Sequence, residues 1–330
     1  MFNNKTILIT GGTGSFGKAF TSRAFKKFKK IKKIIIFSRD ELKQFEMSKY
    51  YENSIHYNKI RFFLGDIRDK ERLDMAFKDV DIVLHAAALK QVPSSEYNPF
   101  ETIKTNVFGT QNVVETCIKN NVSKLLSLST DKASSPINLY GASKLCSDKI
   151  TVSAENIKGK SKLIPCVVRY GNVMGSRGSI VPILIKNKNK KLIYLTDKEM
   201  TRFNISLNDA VDFVLMSLKK AKGGEIFVPK LPSYKLVELA KSISPNAKFR
   251  FTGVRPGEKI HEEMISKTES MSSIEFKNYF VILPSFKEYS LEDYIKKNGG
   301  KINKNSFNYS SGNNKHFLKI NELKKLIKKF

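Results

Sequence analysis

Five side chains with complementary chemistry crowd into LSLSTDKASSPINLYGASK, Leu126–Lys144. Thr130, Asp131 and Lys132 follow a short apolar run, and one loop later come Tyr140 and Lys144. On a helix, positions i and i+4 share a face, so the Tyr140 phenol and the Lys144 ammonium converge on one point. A cation beside a phenol favours the phenolate, which makes Tyr140 a base for an alcohol hydroxyl near neutral pH. An acid and an amine side by side at a strand end form a second acid–base pair. The same two residues at a loop start also make an ordinary exposed ion pair, and charge statistics alone favour that. What surrounds them decides.

The first half alternates short β-branched runs with longer amphipathic stretches, the pattern of a parallel sheet with crossover helices. Strands are predicted at residues 5–10, 32–37, 60–65, 81–87, 124–129 and 162–170. Helices are predicted at 16–28, 42–51, 71–77, 99–120 and 140–155. Near-continuous apolar strands require burial on both faces, so the fold class is α/β, a Rossmann-type doubly wound parallel sheet. Residues 1–170 form the dinucleotide-binding part. Residues 171–330 read as a smaller lobe, interleaved with the first, over the sheet's carboxyl edge, with helices at 207–221 and 234–243. Residues 298–315 are polar and rich in Gly and Asn, hence a loop or a mobile segment. INELKKLIKKF closes the chain as a short helix.

The first strand runs into TGGTGSFG, with Gly11, Gly14 and Gly17 spaced GxxGxxG and Thr13, Ser15 and Phe16 between them. The early glycines allow a tight turn and a close approach to a pyrophosphate; the last lets helix and strand pack together. Without the flanking strand and helix, the same glycines make only a turn. The second strand ends at Ser38, with Arg39, Asp40 and Lys43 close behind. An NAD site tends to place an acid first there; the cations at this end suit a 2′-phosphate, so NADP is the expected cofactor. GDIRD places Asp66 and Ile67 at an adenine edge, and HAAALK supplies Ala86 and Lys90 where a cofactor lies against backbone.

Composition narrows the class. Lys and Arg number 59 against 31 Asp and Glu, a formal charge of +28. The excess is mostly Lys accompanied by Asn and spread over loops and helix faces, unlike an Arg- and aromatic-interleaved nucleic-acid stripe. No nucleic acid is expected; drawing in a small anionic substrate is a simpler use of that field. Cys117, Cys146 and Cys166 show no zinc spacing, and His56, His85, His261 and His316 are isolated, so no metal site is expected. Reduced thiols, no signal peptide and no apolar run of membrane-span length point to a cytoplasmic chain.

The motifs TGGTGSFG, GDIRD, AAALKQVPSSEYNP, STDKA, YGASK, RYGNVMGSRGSIVP and VRPGEKIHEE, in this order over most of the chain, resemble the extended short-chain dehydrogenase/reductase superfamily. Its nucleotide-sugar members dehydrate or epimerise sugars. Lys132, in Thr-Asp-Lys, resembles the C5-inverting 4,6-dehydratases; C5-retaining ones typically show Thr-Asp-Glu there.

That resemblance implies UDP-N-acetylglucosamine as substrate, a tightly held NADP, a homo-oligomer and a first step towards pseudaminic acid. Tyr140, tuned by Lys144, then takes the 4-hydroxyl proton and Thr130 bonds the 4-oxygen. Lys132, made neutral by burial and by the charge of Lys144 or Lys90, takes H5, while Asp131 protonates the leaving 6-hydroxyl. The resemblance also implies that Lys90 reaches sugar or cofactor, Asn172 a phosphate or ribose, and Val181 the uracil. Arg202 and Arg255 meet the diphosphate, and Glu258 a ribose hydroxyl. Arg255 before Pro256-Gly257 also has a plain reading as a turn residue. The competing enzymes are a nucleotide-sugar 4-epimerase or a C5-retaining dehydratase; from another class, a cofactor sensor or nucleic-acid-binding protein on the same fold.

Overall fold

A computed structural model describes residues 1–176, 179–286 and 290–328. Six strands answer the apolar runs: β1 (Thr6–Thr10), β2 (Lys33–Ser38), β3 (Ile60–Leu64), β4 (Ile82–His85), β5 (Lys124–Thr130) and β6 (Ile164–Tyr170). They lie parallel in the order β3-β2-β1-β4-β5-β6. The order reverses beside β1, and ligands bind beyond the strand ends at such a switch point.

Helices cover both faces because alternate strand residues point to opposite sides. Ile7, Ile9, Ile34 and Ile36 pack with Phe20 and Phe25 of α1 (Ser15–Lys27). Leu8, Ile35 and Phe37 face the other way, onto Leu73 and Phe77 of α3 (Lys70–Phe77), which follows α2 (Glu41–Tyr51). Burying each such side chain is worth about 1.5–3 kcal/mol.

The stretch 99–120, expected as one helix, is broken. After α4 (Val92–Tyr97) come α5 (Pro99–Ile103), a π-helical turn at Lys104–Phe108 and α6 (Gly109–Lys119). Pro99 lacks an N–H and so opens a helix rather than continuing α4. The π turn carries Asn106 inward, where its side-chain amide donates to the Leu89 carbonyl at 2.8 Å and the Ser143 hydroxyl at 3.0 Å. The turn thus ties the end of β4 to the long helix α7 (Leu139–Ile157).

Beyond β6 come β7 (Asn172–Val173), α8 (Ile180–Lys186), β8 (Leu192–Leu195), β9 (Thr201–Ile205) and α9 (Leu207–Lys220). Then β10 (Glu225–Pro229) returns to the sheet as a parallel neighbour of β6. β11 (Ser233–Lys235), α10 (Leu236–Ile243), β12 (Lys248–Phe251), β13 (Glu263–Ile265) and α11 (Lys267–Ser270) build the smaller lobe. β14 (Ser273–Glu275) and β15 (Tyr279–Ile282) add an antiparallel edge, followed by α12 (Leu291–Asn298), β16 (Lys301–Ile302), β17 (Tyr309–Ser310) and α13 (Ile320–Ile327). The sheet reaches ten strands among the described residues.

Residues 298–315 are not a free loop. β16 pairs with β14 and β17 pairs with β13. The Tyr309 hydroxyl accepts from Leu231 N at 2.7 Å and donates to Leu231 O at 3.1 Å, and Ser311 is wholly buried. Polar composition here meets backbone and hydroxyl partners instead of water.

Candidate active site

β5 ends at Thr130 and turns at once into a 3-10 turn, Asp131–Ala133. The Thr130 hydroxyl caps that turn, accepting from Lys132 N at 3.3 Å, and donates to Asp131 Oδ1 at 3.0 Å. Asn138 caps α7 by accepting from Gly141 N at 2.8 Å, while its amide donates to the Gly257 carbonyl at 2.7 Å, joining the helix to the smaller lobe. A Cβ at position 141 would collide with the Lys132 carbonyl oxygen, so only glycine lets α7 start against the Asp131–Lys132 turn. Thr130, Asp131, Lys132 and Tyr140 thereby meet at one sheet end.

A residue absent from the sequence-based set completes the group. Glu262, nearly wholly buried, places Oε1 2.8 Å from Lys132 Nζ, which is also 3.2 Å from Asp131 Oδ1. Arg202 Nε stands 3.6 Å from the same Glu262 oxygen. Glu262 sits inside the VRPGEKIHEE stretch, but only the pairing of β13 with β17 reveals that it turns towards Lys132.

These neighbours correct the expected charge states. Burial alone would lower the Lys132 pKa, but the Asp131 and Glu262 carboxylates outweigh it and hold the amine above its ordinary value. Lys132 therefore rests as an ammonium, and Lys144 and Lys90 do not make it neutral. Burial raises Asp131 despite Lys132 beside it. Burial pushes Glu262 the same way, yet Lys132 and Arg202 win and its carboxyl lies below the usual range. Two neighbouring carboxyls are driven apart, the arrangement that separates an acid from a base.

Burial pushes the Tyr140 phenol up to about 12, with Lys132 and the Thr130 hydroxyl pulling against it. Lys132 is thus a cation that acts on this phenol. Lys144 is buried and donates to Ser147 Oγ at 3.2 Å; burial lowers its pKa and Asp148 opposes the shift.

The glycine turn fits a pyrophosphate. Gly11 has φ +64°, and a Cβ there would lie 2.9 Å from Ala87, next to Ala86. Gly14 precedes α1 with no side-chain cap, leaving the first N–H groups of a 13-residue helix to meet an anion. Thr13 and Ser38 hydroxyls bond at 3.0 Å behind the turn, Gly17 packs onto Gly12, and Phe16 leans on Phe20. Ser15 opens α1. Asp40 is occupied: it caps α2 by accepting from Lys43 N and pairs with the Lys43 ammonium. Arg39 is half-exposed, 3.6 Å from Asp66, whose carboxylate also takes the Arg68 guanidinium. Ile67 is buried against Gly109, as a packing residue.

Two adjoining cavities open beside this end of the sheet. One of ≈ 210 Å³ is lined by Lys132, Asn138, Asn172, Arg202, Arg255, Glu258, Lys259 and Glu262. The other, ≈ 390 Å³, shares Asn172, Arg202, Arg255 and Glu258 and continues along Ile180, Ile183 and Tyr194. Arg202 is anchored, donating to the carbonyls of Thr201 at 2.7 Å and Ile260 at 3.0 Å and lying 3.6 Å from Glu258. The second oxygen of Glu258 is buried without a partner. Arg255 is exposed, and no carboxylate engages it among the described residues. Val181 does not line the cleft: it is 1% exposed in the small-lobe core with Met174 and Leu184, while Ile180 and Ile183 face the opening. Lys90 lies in the exposed turn before α4, outside both cavities. Arg177 and Gly178 of RYGNVMGSRGSIVP lie outside the described residues. Among those described, no cluster suits a metal ion and no helix is long and apolar enough to cross a membrane.

The parallel sheet, the glycine turn and the Tyr140–Lys144 helix define a Rossmann-type extended short-chain dehydrogenase/reductase. Residues 7–284 match the model of the polysaccharide biosynthesis protein family, and the chain belongs to that family. It is 51% identical over 333 residues to the UDP-N-acetylglucosamine 4,6-dehydratase (inverting) of Campylobacter jejuni subsp. jejuni serotype O:23/36 (strain 81-176), covering 99% of this chain and 98% of that one. It is also 42% identical over 334 residues to the UDP-glucose 4-epimerase of Rickettsia bellii (strain OSU 85-389), covering 99% and 96%. Among solved structures, Pen from Bacillus thuringiensis superposes with a TM-score of 0.89 at 37% identity, over 100% of this chain and 98% of that one.

Proposed function

We propose that the chain is a UDP-N-acetylglucosamine 4,6-dehydratase that inverts C5. The observation that carries this reading is Lys132 in the wall of a sugar-sized cavity, paired with buried Asp131 behind it and close to Tyr140. Exchanging a 4-hydroxyl's configuration needs one base; removing water across C5 and C6 needs a second base and an acid as well. The 51% identity to an inverting dehydratase, against 42% to an epimerase relative, supports the same choice.

The residues divide the work as follows. Tyr140 takes the 4-hydroxyl proton as the phenolate, a form that burial disfavours and the Lys132 cation and Thr130 hydroxyl favour. Thr130, within reach of that phenol, steadies the 4-oxygen. The resulting ketone acidifies H5, which Lys132 removes. Asp131, whose pKa burial raises, is the acid that donates to the departing 6-hydroxyl. A nicotinamide dinucleotide, when bound, would supply the hydride chemistry, taking hydride from C4 and giving it back at C6. A proton then reaches C5 on the face opposite the one H5 left, which inverts that centre. Gly11, Thr13, Gly14, Ser15 and Gly17 would hold its pyrophosphate, Ala86 its flank, and Arg39 with Lys43 a 2′-phosphate, which makes NADP our choice. Arg202 and Arg255 meet the diphosphate of the sugar nucleotide, Glu258 a ribose hydroxyl and Asn172 a phosphate or ribose; guanidinium forks suit phosphate oxygens.

We assign the product to pseudaminic acid synthesis for surface glycans or flagellin, in the cytoplasm. Exposed Tyr97, Phe100 and Phe108 on α4 to α6 support self-association. Incubation with UDP-N-acetylglucosamine in deuterated water tests the activity. NMR should find deuterium at C5 of an L-configured 4-keto-6-deoxy product; an unlabelled 4-hydroxyl product would assign an epimerase instead.

A further inference from the structure

A lysine that rests as an ammonium cannot remove H5 until its extra proton has somewhere to go. Four features single out the receiver. Glu262 Oε1 is the nearer carboxylate oxygen, 2.8 Å from Lys132 Nζ against 3.2 Å for Asp131 Oδ1. Asp131 already needs its own proton for the leaving hydroxyl. Glu262 Oε2 is buried with no hydrogen-bond partner, as is Asp131 Oδ2, so each carboxyl keeps an open oxygen to take a proton, and the shorter distance to Lys132 makes the choice between the two. The backbone of Glu262 is clamped by Ser311, whose hydroxyl accepts from Glu262 N at 2.9 Å and whose N–H donates to Glu262 O at 2.8 Å. The polar segment 298–315 thus has a use: it fixes the carboxylate against the lysine.

We propose that Glu262 is the positioning residue that receives the Lys132 proton and so arms the amine for C5. An N–H bond of the ammonium breaks and its electron pair stays on nitrogen, while an O–H bond forms on Glu262. The freed pair then takes H5, and the C5–H electrons pass into the enolate of the 4-ketone. The transfer turns ammonium and carboxylate into amine and carboxylic acid with no change in net charge. Water favours the charged form, and the Lys132 side chain is still 24% exposed at the cavity wall. A sugar filling the cleft removes that water and so favours the neutral form. The other charged or titratable groups facing Lys132 are Asp131, Arg202, Tyr140, Tyr234 and Lys259. Arg202 and Lys259 repel the ammonium but also hold the Glu262 carboxylate charged, so the loss of water from the filled cleft, and not these cations, drives the transfer.

This rests on the dehydratase reading, and the pH profile separates the two. With Glu262 present the proton moves internally, so kcat should stay level between about pH 7 and 9. In Glu262→Gln the proton must leave to solvent, so kcat should fall at least about 100-fold at pH 7 and then rise about tenfold per pH unit. Glu262→Asp, which keeps a carboxylate, should be slow but level, and it serves if the amide variant does not fold. A Gln variant at wild-type rate, an activity loss with a level profile, or a steep profile in the Asp variant would each overturn the proposal while leaving the dehydratase intact. A wild-type chain that leaves UDP-N-acetylglucosamine unchanged overturns the dehydratase reading and this proposal with it.

Discussion

Arg169 Nη2 lies 3.2 Å from Asp148 Oδ2, and neither side chain reaches solvent. Its Nη1 donates to Glu269 at 2.9 and 3.0 Å and to the Met264 carbonyl at 3.0 Å. One arginine therefore joins α7, which carries Tyr140 and Lys144, to α11 of the smaller lobe. Removing one partner from a buried ion pair leaves uncompensated charge, typically costing about 3–5 kcal/mol. Arg169→Met should lose about that much stability in urea unfolding, and adding Asp148→Asn with Glu269→Gln should recover part of it. An Arg169→Met chain as stable as the parent contradicts this account.

Lys132→Met keeps most of the side-chain length but has no basic amine to take H5. Loss of a general base costs roughly 10²–10⁴-fold in kcat, and Asp131→Asn should fall in the same range. Both variants should still bind UDP-N-acetylglucosamine, as read by calorimetry. Full turnover by the methionine variant would remove the central base.

Arg255 touches both cavities and is engaged by no carboxylate among the described residues, so its guanidinium is available to a diphosphate. A hydrogen bond to a charged group is worth about 1.5–3 kcal/mol, so Arg255→Ala should raise KM about 10–100-fold. With kcat held within about threefold, the loss would be one of uniform binding. A fall in kcat alone would instead make Arg255 part of the turn that shapes the loop.

The sheet and its cofactor turn were legible in the sequence because each rests on local signals. Apolar runs such as Ile34–Phe37 are buried on both faces, and Gly11 meets a backbone only a strand away. Glu262 was illegible for the opposite reason: its approach to Lys132 depends on β13 pairing with β17 and on Ser311, which polar composition placed in a loop. Val181 was misplaced because a short apolar helix shows no orientation until its neighbours are known. The charge state of Lys132 failed likewise, since the partners that set it come from other parts of the fold.

Arg39 and Lys43 stand at the end of β2, with Asp40 already committed to capping α2. A 2′-phosphate there meets cations, while a bare ribose diol finds its acid occupied. The double variant Arg39→Ala/Lys43→Ala should weaken NADP+ about 10–100-fold and leave NAD+ within about threefold, by calorimetric titration. Equal losses for the two dinucleotides would place the phosphate elsewhere.

His85 lies buried at the end of β4, with Nδ1 2.8 Å from Thr10 Oγ1 and Nε2 3.0 Å from Thr110 Oγ1. Thr10 Oγ1 already accepts from Ala86 N and Ala87 N, so its hydrogen points to Nδ1 and Nε2 donates to Thr110. Burial, aided by Lys144, pushes the imidazole down from 6.5 to about 3. A depressed base contributes stability that is complete above its unfolded pKa and is lost as pH falls. Between pH 6.5 and about 3 the unfolded chain binds a proton that folded His85 refuses, costing about 1.4 kcal/mol per pH unit. Urea unfolding of wild type and His85→Asn at several pH values in that window should differ in slope by one proton. Parallel curves would show that His85 is charged inside the fold, and the Thr10 hydroxyl would then accept from Nδ1 instead of donating to it.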